Sequence, residues 1–512
     1  MSVRSRRILA LVIIACLAIT LVPGVASAKP RGSGTAIQDV VSAPPDVYES
    51  DDTTAQAKVV PKRSIHTLDR YEDEDWCKLT VTTAGTPYVF ETQIINGNDD
   101  LDLHLYIYQQ NANGTVTELA NVDDHAYWDA YSEYLIWKAP AAGTYYFMVT
   151  GHSTGDTGTY ALYWDTGFAR RVYGSDRYNT AVEISKLMYQ QYTVSYDWSF
   201  DLEGIVIASG SNPADAMAGG VLAATVSGPI MLSQPTGLSP EVRAEIGRIL
   251  RPIVYYENDD ITLYVLGGTA AVPSVVETQL KAIPEVAGGI EDGVVTIKRL
   301  AGTNRYQTAA LIAAELDDIT GVSSKAYVVG GSSWADGLAV AAPACWNVQA
   351  ILPTASGALS AEVASTITAL GITEVVIVGG PSAVSAAAET ALKTQLGAAN
   401  VRRIAGANRY QTALLVAKYA VDDESMNSDR LVLVSGANWP DALGAGPMVY
   451  QYLYGYGVEG PILLTNPTKL SSEVAAFVNE YGQPSELCYV IGGPAALSDA
   501  VLNAFNALRD SL

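Results

Sequence analysis

Between about residues 63 and 166 the chain alternates apolar and polar positions in short runs. These are Trp76 to Thr82, Tyr88 to Ile94, Leu101 to Tyr108, Tyr134 to Trp137, Thr144 to Thr150 and Thr159 to Trp164. Within Leu101, Leu103, Leu105 and Ile107 one face is apolar, while Asp102 and His104 point the other way. Turn residues such as Asn96-Gly97-Asn98 and Asn113-Gly114 separate the runs. A period of two at this spacing predicts an antiparallel β-sandwich. From about residue 170 the pattern changes. Ala-rich stretches of helical length alternate with short Val/Ile-rich runs ending in Gly-Gly or Ser-Gly. Strands alternating with helices predict parallel sheets covered on both faces.

That second region repeats itself. RVYGSDRYNTA at 171–181 returns as RLAGTNRYQTA at 299–309 and RIAGANRYQTA at 403–413. IASGSNPADAMA at 207–218 matches VVGGSSWADGLA at 328–339 and LVSGANWPDALG at 433–444. GPIMLS, QAILPT and GPILLT follow, and each unit closes on a strand and Gly pair: Gly267-Gly268, Gly379-Gly380 and Gly492-Gly493. Four blocks in one order, three times, predict three tandem α/β modules. The divisions are 167–297, 298–400 and 401–512, preceded by a sandwich at 63–166. The first unit is longer, partly through an aromatic, polar insertion from Tyr189 to Phe200.

The N-terminus reads as an export signal over 1–28. Arg4, Arg6 and Arg7 precede an apolar run from Ile8 to Val22, and Ala26-Ser27-Ala28 supplies small residues for cleavage. Residues 29–62, rich in Pro, Ala, Ser, Asp and Thr without periodicity, read as a flexible leader. No later stretch is long and apolar enough to span a bilayer. The formal net charge of −23 argues against nucleic acid and anionic membranes as partners. Removing 1–28 takes away three arginines and no acid. Cys77, Cys345 and Cys488 have no metal-ligand spacing and read as small buried hydrophobes.

The repeated blocks resemble the cell wall-binding repeat 2 family of Gram-positive surface proteins over about 171–512. The resemblance implies three copies packed as a pseudo-threefold unit and attached non-covalently to an anionic secondary wall polymer, with a variable partner domain displayed. Residues 65–165 more loosely resemble the bacterial pre-peptidase C-terminal domain, through Asp75-Trp76, Asp99 to Tyr106, Ala142 to Tyr145 and Gly158-Thr159-Tyr160. That likeness implies an accessory module whose ligand is unknown. One departure stands in the second repeat, where Ile351-Leu352-Pro353 replaces the intact Ile462-Leu463-Leu464 and the Ile230-Met231-Leu232 of the first.

The candidate polymer-binding residues are therefore Arg177, Tyr178, Arg305, Tyr306, Arg409 and Tyr410, with Ile230, Met231, Leu232, Ile351, Leu352, Ile462, Leu463 and Leu464. A planar guanidinium can clamp a phosphate or carboxylate with two donors. The alternative pairs each Arg with Asp215, Asp336 or Asp441 as a structural bridge, or lets Asp hold Arg while its free edge faces outward. The Gly pairs read either as anion-binding turns or as plain strand-to-helix turns. All four histidines precede residue 166, so the repeats hold no Ser-His or Cys-His pair. The expectation is a non-enzymatic anchor without a cofactor. The rival readings are a wall-anchored hydrolase working from the sandwich and a freely released ligand-binding protein. Asp99, Asp100 and Asp102 are a weak candidate Ca²⁺ site, without EF-hand spacing.

Overall fold

The computed structural model describes residues 45–512 except 71–72, 98–100, 123–132, 152–155, 190–201, 253, 255–259, 322–323, 429, 451–459 and 483–485. The predicted export signal, the first half of the leader (29–44) and nearly all of the Tyr189–Phe200 insertion lie outside the described residues.

Two antiparallel sheets form the sandwich. β1 (Arg63–Leu68), β8 (Gly158–Thr166), β3 (Pro87–Gly97) and β6 (Tyr134–Lys138) make one, in that order. β2 (Glu74–Val81), β7 (Gly143–Gly151), β4 (Leu103–Gln110) and β5 (Val116–Val122) make the other. Between them Phe90, Leu103, Leu105, Tyr145, Phe147 and Leu162 are fully buried, with Cys77. The alternation placed the central strands; β1 and β5 were not anticipated. No residue of β5 is buried, so the strand lacks a clean apolar face.

The leader was expected to be flexible throughout, and its last part is not. Lys58 bridges to Cys77, the Trp76 N–H donates to the Asp51 carbonyl at 3.0 Å, and Val60 is buried.

Beyond the sandwich stand three four-stranded sheets with parallel pairing, wrapped by helices. β10 (Gly204–Ser209), β11 (Ile230–Ser233), β12 (Ile261–Leu266) and β13 (Val295–Leu300) give the order β11-β10-β12-β13. β14 (Lys325–Gly330), β15 (Ala350–Thr354), β16 (Glu374–Val378) and β17 (Val401–Ile404) repeat it as β15-β14-β16-β17. The third sheet takes β18 (Val432–Ser435), β19 (Ile462–Thr465) and β20 (Cys488–Ile491) from the last repeat. Its fourth strand is β9 (Ala169–Val172), from the start of the first.

Each sheet thus borrows its last strand from the next repeat, and β9 closes the set into a ring. Consequently β13 runs across the 297/298 division and β17 begins just past 400. Helices Pro213–Thr225, Trp334–Trp346 and Ala445–Tyr450 meet one another at the ring's centre. Small residues permit the approach: a Cβ on Gly337 would lie 2.5 Å from the Met217 sulfur, and one on Gly446 3.1 Å from the Cys345 sulfur. Cys77, Cys345 and Cys488 are free and buried.

The sandwich sits on the ring beside the closing strand. Val89, Tyr134 and Ile136 join the ring's core, and Arg63 pairs with Glu183 at 2.6 Å. Arg170 of β9 and Glu91 of β3 form an ion pair that is almost wholly buried. Among the described residues no helix is long and apolar enough to cross a membrane.

Candidate functional site at the repeat junctions

Each repeat opens with a helix whose start is fixed by its own sequence. The side chains of Asp176, Asn304 and Asn408 cap helices Arg177–Met188, Arg305–Thr320 and Arg409–Asp422, accepting from the N–H three residues on at 2.8, 2.9 and 2.9 Å. Thr180, Thr308 and Thr412 then receive the N–H of Gly174, Gly302 and Gly406 at 3.2, 3.1 and 3.0 Å. This frame puts Arg177, Arg305 and Arg409 at the first helical position. The positive end of the helix dipole disfavours a cation there.

Two groups offset that. One guanidinium nitrogen of each Arg donates to a strand-end carbonyl of its own repeat: Gly210, Gly331 and Gly436, at 2.7, 2.6 and 2.7 Å. The nearby carboxylate comes from the preceding repeat around the ring. Arg305 faces Asp215, Arg409 faces Asp336, and Arg177 faces Asp441. The coupling is through charge, without a hydrogen bond between the two side chains. Burial pushes all three carboxyls above the ordinary value, against the lowering pull of Arg and of the Thr308, Ser333 and Thr180 hydroxyls. Asp215 and Asp336 are 8% and 6% exposed, while Arg305 and Arg409 are exposed and Arg177 half-buried. Tryptophans complete two junctions, Trp439 5.6 Å from Arg177 and Trp334 4.9 Å from Arg409. The matching position in the first repeat is Pro213.

The other candidates fall elsewhere. Tyr178, Tyr306 and Tyr410 lie edge-on to Gly210, Gly331 and Gly436, where a Cβ would sit 2.4, 2.6 and 2.3 Å from the rings. Ile230, Met231, Leu232, Ile351, Leu352, Ile462, Leu463 and Leu464 are at most 2% exposed on β11, β15 and β19. Their expected contact with a polymer is corrected: they form core under the helices and are buried from solvent. Pro353 is tolerated because β15 is an edge strand.

The Gly pairs are turns with a specific purpose. Gly267, Gly379 and Gly492 hold φ of 94°, 108° and 113°. A Cβ there would lie 2.4, 2.6 and 3.2 Å from a carboxylate oxygen of Asp215, Asp336 and Asp441. Their N–H groups donate to Leu300, Ile404 and Val172 at 2.8, 2.9 and 2.9 Å, so they are not offered to an anion. The second members differ, since Gly268 and Gly380 would have nothing within 4 Å of a Cβ.

A further arginine set went unassigned in the sequence. Arg299 donates to the Gly267 and Val272 carbonyls at 2.7 and 3.0 Å, and Arg403 to those of Gly379 and Val384 at 2.6 and 2.8 Å. Arg171 does the same for Gly492 and Leu497 at 2.8 and 2.7 Å. Their signal was present, as the first letter of each opening block. These three arginines lock each Gly turn from the next repeat.

A cavity of about 620 Å³ lies between sandwich and ring, lined by Tyr163, Trp164 and four cations. Lys62, Arg63, Arg170 and Arg171 are each paired there, with Asp165, Glu183, Glu91 and Asp499. No surplus positive charge is left for an anion. Asp99 and Asp100 are outside the described residues, and Asp102 belongs to neither metal-capable grouping found among those described. These are Asp46, His66, Asp75 and Glu49, Asp73, Asp75.

Comparison with known proteins agrees with this geometry. The model of the cell wall binding domain 2 (CWB2) matches residues 171–277, 299–389 and 403–502, and that of the bacterial pre-peptidase C-terminal domain matches 73–151. A curated relative, the N-acetylmuramoyl-L-alanine amidase LytC of Bacillus subtilis, is 28% identical over 334 residues, 65% of this chain and 57% of its own length. The chain therefore spans little more than half of that relative. Cwp8 from Clostridium difficile is similar at 25% identity and TM-score 0.54, over 67% of this chain and 52% of its own. Cwp6 from the same organism shares the fold at 18% identity and TM-score 0.54, over 88% of this chain and 68% of its own. With more than half of its length in three matched domains closed into one ring, the chain belongs to the cell wall binding domain 2 family.

Proposed function

We propose that this is an exported, non-enzymatic surface protein whose ring docks non-covalently on an anionic polymer of a bacterial cell wall and displays the sandwich. The supporting observation is the threefold recurrence of an Arg anchored through one nitrogen, two of which, Arg305 and Arg409, are exposed. Asp215 and Asp336 are buried while Arg305 and Arg409 are exposed, so an incoming anion would meet the guanidinium first at those two junctions. That arrangement reconciles an acidic chain with an acidic ligand. A bidentate contact with phosphate or carboxylate is the natural use of the free edge.

Arg305→Lys and Arg409→Lys test the reading. Lysine keeps the charge and loses the fork, so wall affinity should fall by about tenfold or more per effective site, on the order of 1.5–3 kcal/mol. Co-sedimentation with purified walls, alongside melting temperature, separates binding from folding. Lower melting with unchanged affinity would leave these arginines as structure only. Release of soluble wall fragments by the full chain would instead favour the hydrolase reading.

A further inference from the structure

The cavity between sandwich and ring lies at a junction where the repeat pattern breaks. Glu183, Tyr173 and Leu502 line it from the ring side, and each departs from its counterparts. Glu183 stands where the other repeats have Leu311 and Leu415, and its pairing with Arg63 of the sandwich accounts for it. Tyr173 stands where they have Ala301 and Ala405, and Leu502 where they have Glu277 and Glu389. Neither of these two makes a polar contact with the sandwich among the described residues.

Tyr173 brings an aromatic ring to the cavity wall and leaves it 45% exposed. It rests against Gly493, where a Cβ would lie 3.0 Å from the ring, whereas one on Gly268 or Gly380 would meet nothing within 4 Å. Leu502 removes an acceptor. Arg299 and Arg403 donate through Nε to Glu277 and Glu389 at 2.9 and 2.8 Å. Arg171 has instead the Asp499 carboxylate, 3.4 Å from Nη2 and 72% exposed. Its Nη1 is held by the Gly492 and Leu497 carbonyls, and no acceptor among the described residues takes its Nε–H. A fixed guanidinium thus keeps a free donor beside a carboxylate with free acceptors.

We propose that this cavity binds a short neutral saccharide, with Tyr173 against the apolar face of a sugar ring and Arg171 and Asp499 bonding its hydroxyls. The charge balance selects a neutral ligand. The four cations that line the cavity face four carboxylates, Asp165, Glu183, Glu91 and Asp499, so neither an anion nor a cation finds an excess of the opposite sign. Aromatic walls with a few fixed polar groups suit a ring that is apolar on its face and hydroxylated at its rim. The volume of about 620 Å³ falls within the range of roughly 300–1,000 Å³ usual for small-molecule sites. Because the sandwich supplies Tyr163 and Trp164, the site exists only where sandwich and ring meet.

The test titrates the full chain with N,N′-diacetylchitobiose and with cellobiose, followed by calorimetry. One of them should bind at a single saturable site. Tyr173→Ala restores the residue of the other repeats, so melting should hold while affinity falls by about tenfold. Leu502→Glu gives Arg171 the acceptor that Arg299 and Arg403 have, and should weaken binding in the same direction. Retention of the chain on wall glycan stripped of secondary polymer, reversed by the disaccharide, makes the wall the source of the saccharide. Binding of the disaccharide without such retention makes it a free sugar, and either result supports the site. No binding of either disaccharide overturns the proposal, as does binding that both variants leave intact. Inorganic phosphate bound in a Tyr173- or Leu502-dependent way, with no disaccharide bound, overturns it in favour of an anion site. The titration contains no wall polymer, so its failure leaves the docking of the ring untouched.

Discussion

Gly267, Gly379 and Gly492 recur because a carboxylate occupies the space their side chains would need. Gly267→Ala would bring both a forbidden φ and a collision with Asp215, and should cost about 1–3 kcal/mol in chemical denaturation. Gly268→Ala meets nothing and should stay within about 0.5 kcal/mol. Equal effects at the two positions would refute the account. Which glycine of the pair mattered was not legible in the sequence, since both are repeated. The apolar triplets misled for a related reason. Recurrence marks a constraint, and for Ile462-Leu463-Leu464 that constraint is packing. The Arg–Asp recurrence was legible, but its pairing across repeats was not, because nothing in linear order says that Asp441 meets Arg177.

At the level of elements, the sandwich strands and the parallel α/β pattern followed from periodicity, because each has a clear apolar face. The borrowed strands did not. β13, β17 and β9 read VTIKRL, VRRI and ARRV, with charged residues that hide them from a search for apolar runs. Their cations include the Arg299, Arg403 and Arg171 locks and Arg170 beneath the sandwich. A consequence is measurable. A fragment of residues 167–512 retains β9 and should melt cooperatively, whereas 173–512 leaves the edge of β20 open and should lose cooperativity or self-associate. If both fragments melt alike, strand closure contributes little. The isolated stretch 298–400 should fold poorly, since it starts inside the previous sheet and lacks β17.

For the whole molecule, sandwich and ring meet through the buried Arg170–Glu91 pair, and Tyr163 lies 3.7 Å from the same guanidinium. Glu91→Gln would strand a buried cation, and should cost about 3–5 kcal/mol at this joint. Calorimetry should then resolve separate transitions for sandwich and ring. A single unshifted transition would mean that the joint is carried by the apolar contacts of Val89, Tyr134 and Ile136 instead.

The closing strand also sets a clock. Arg171 and the Gly492 carbonyl that it clamps are 321 residues apart. At about 5–20 residues per second, a ribosome needs roughly 15–60 seconds to supply the partner once β9 has emerged. Through that interval β9 has no sheet to join, and a chain arrested before β20 never gains one. Unfinished copies therefore keep an unpaired strand and an open core, exposed backbone and apolar surface that a complete copy has covered.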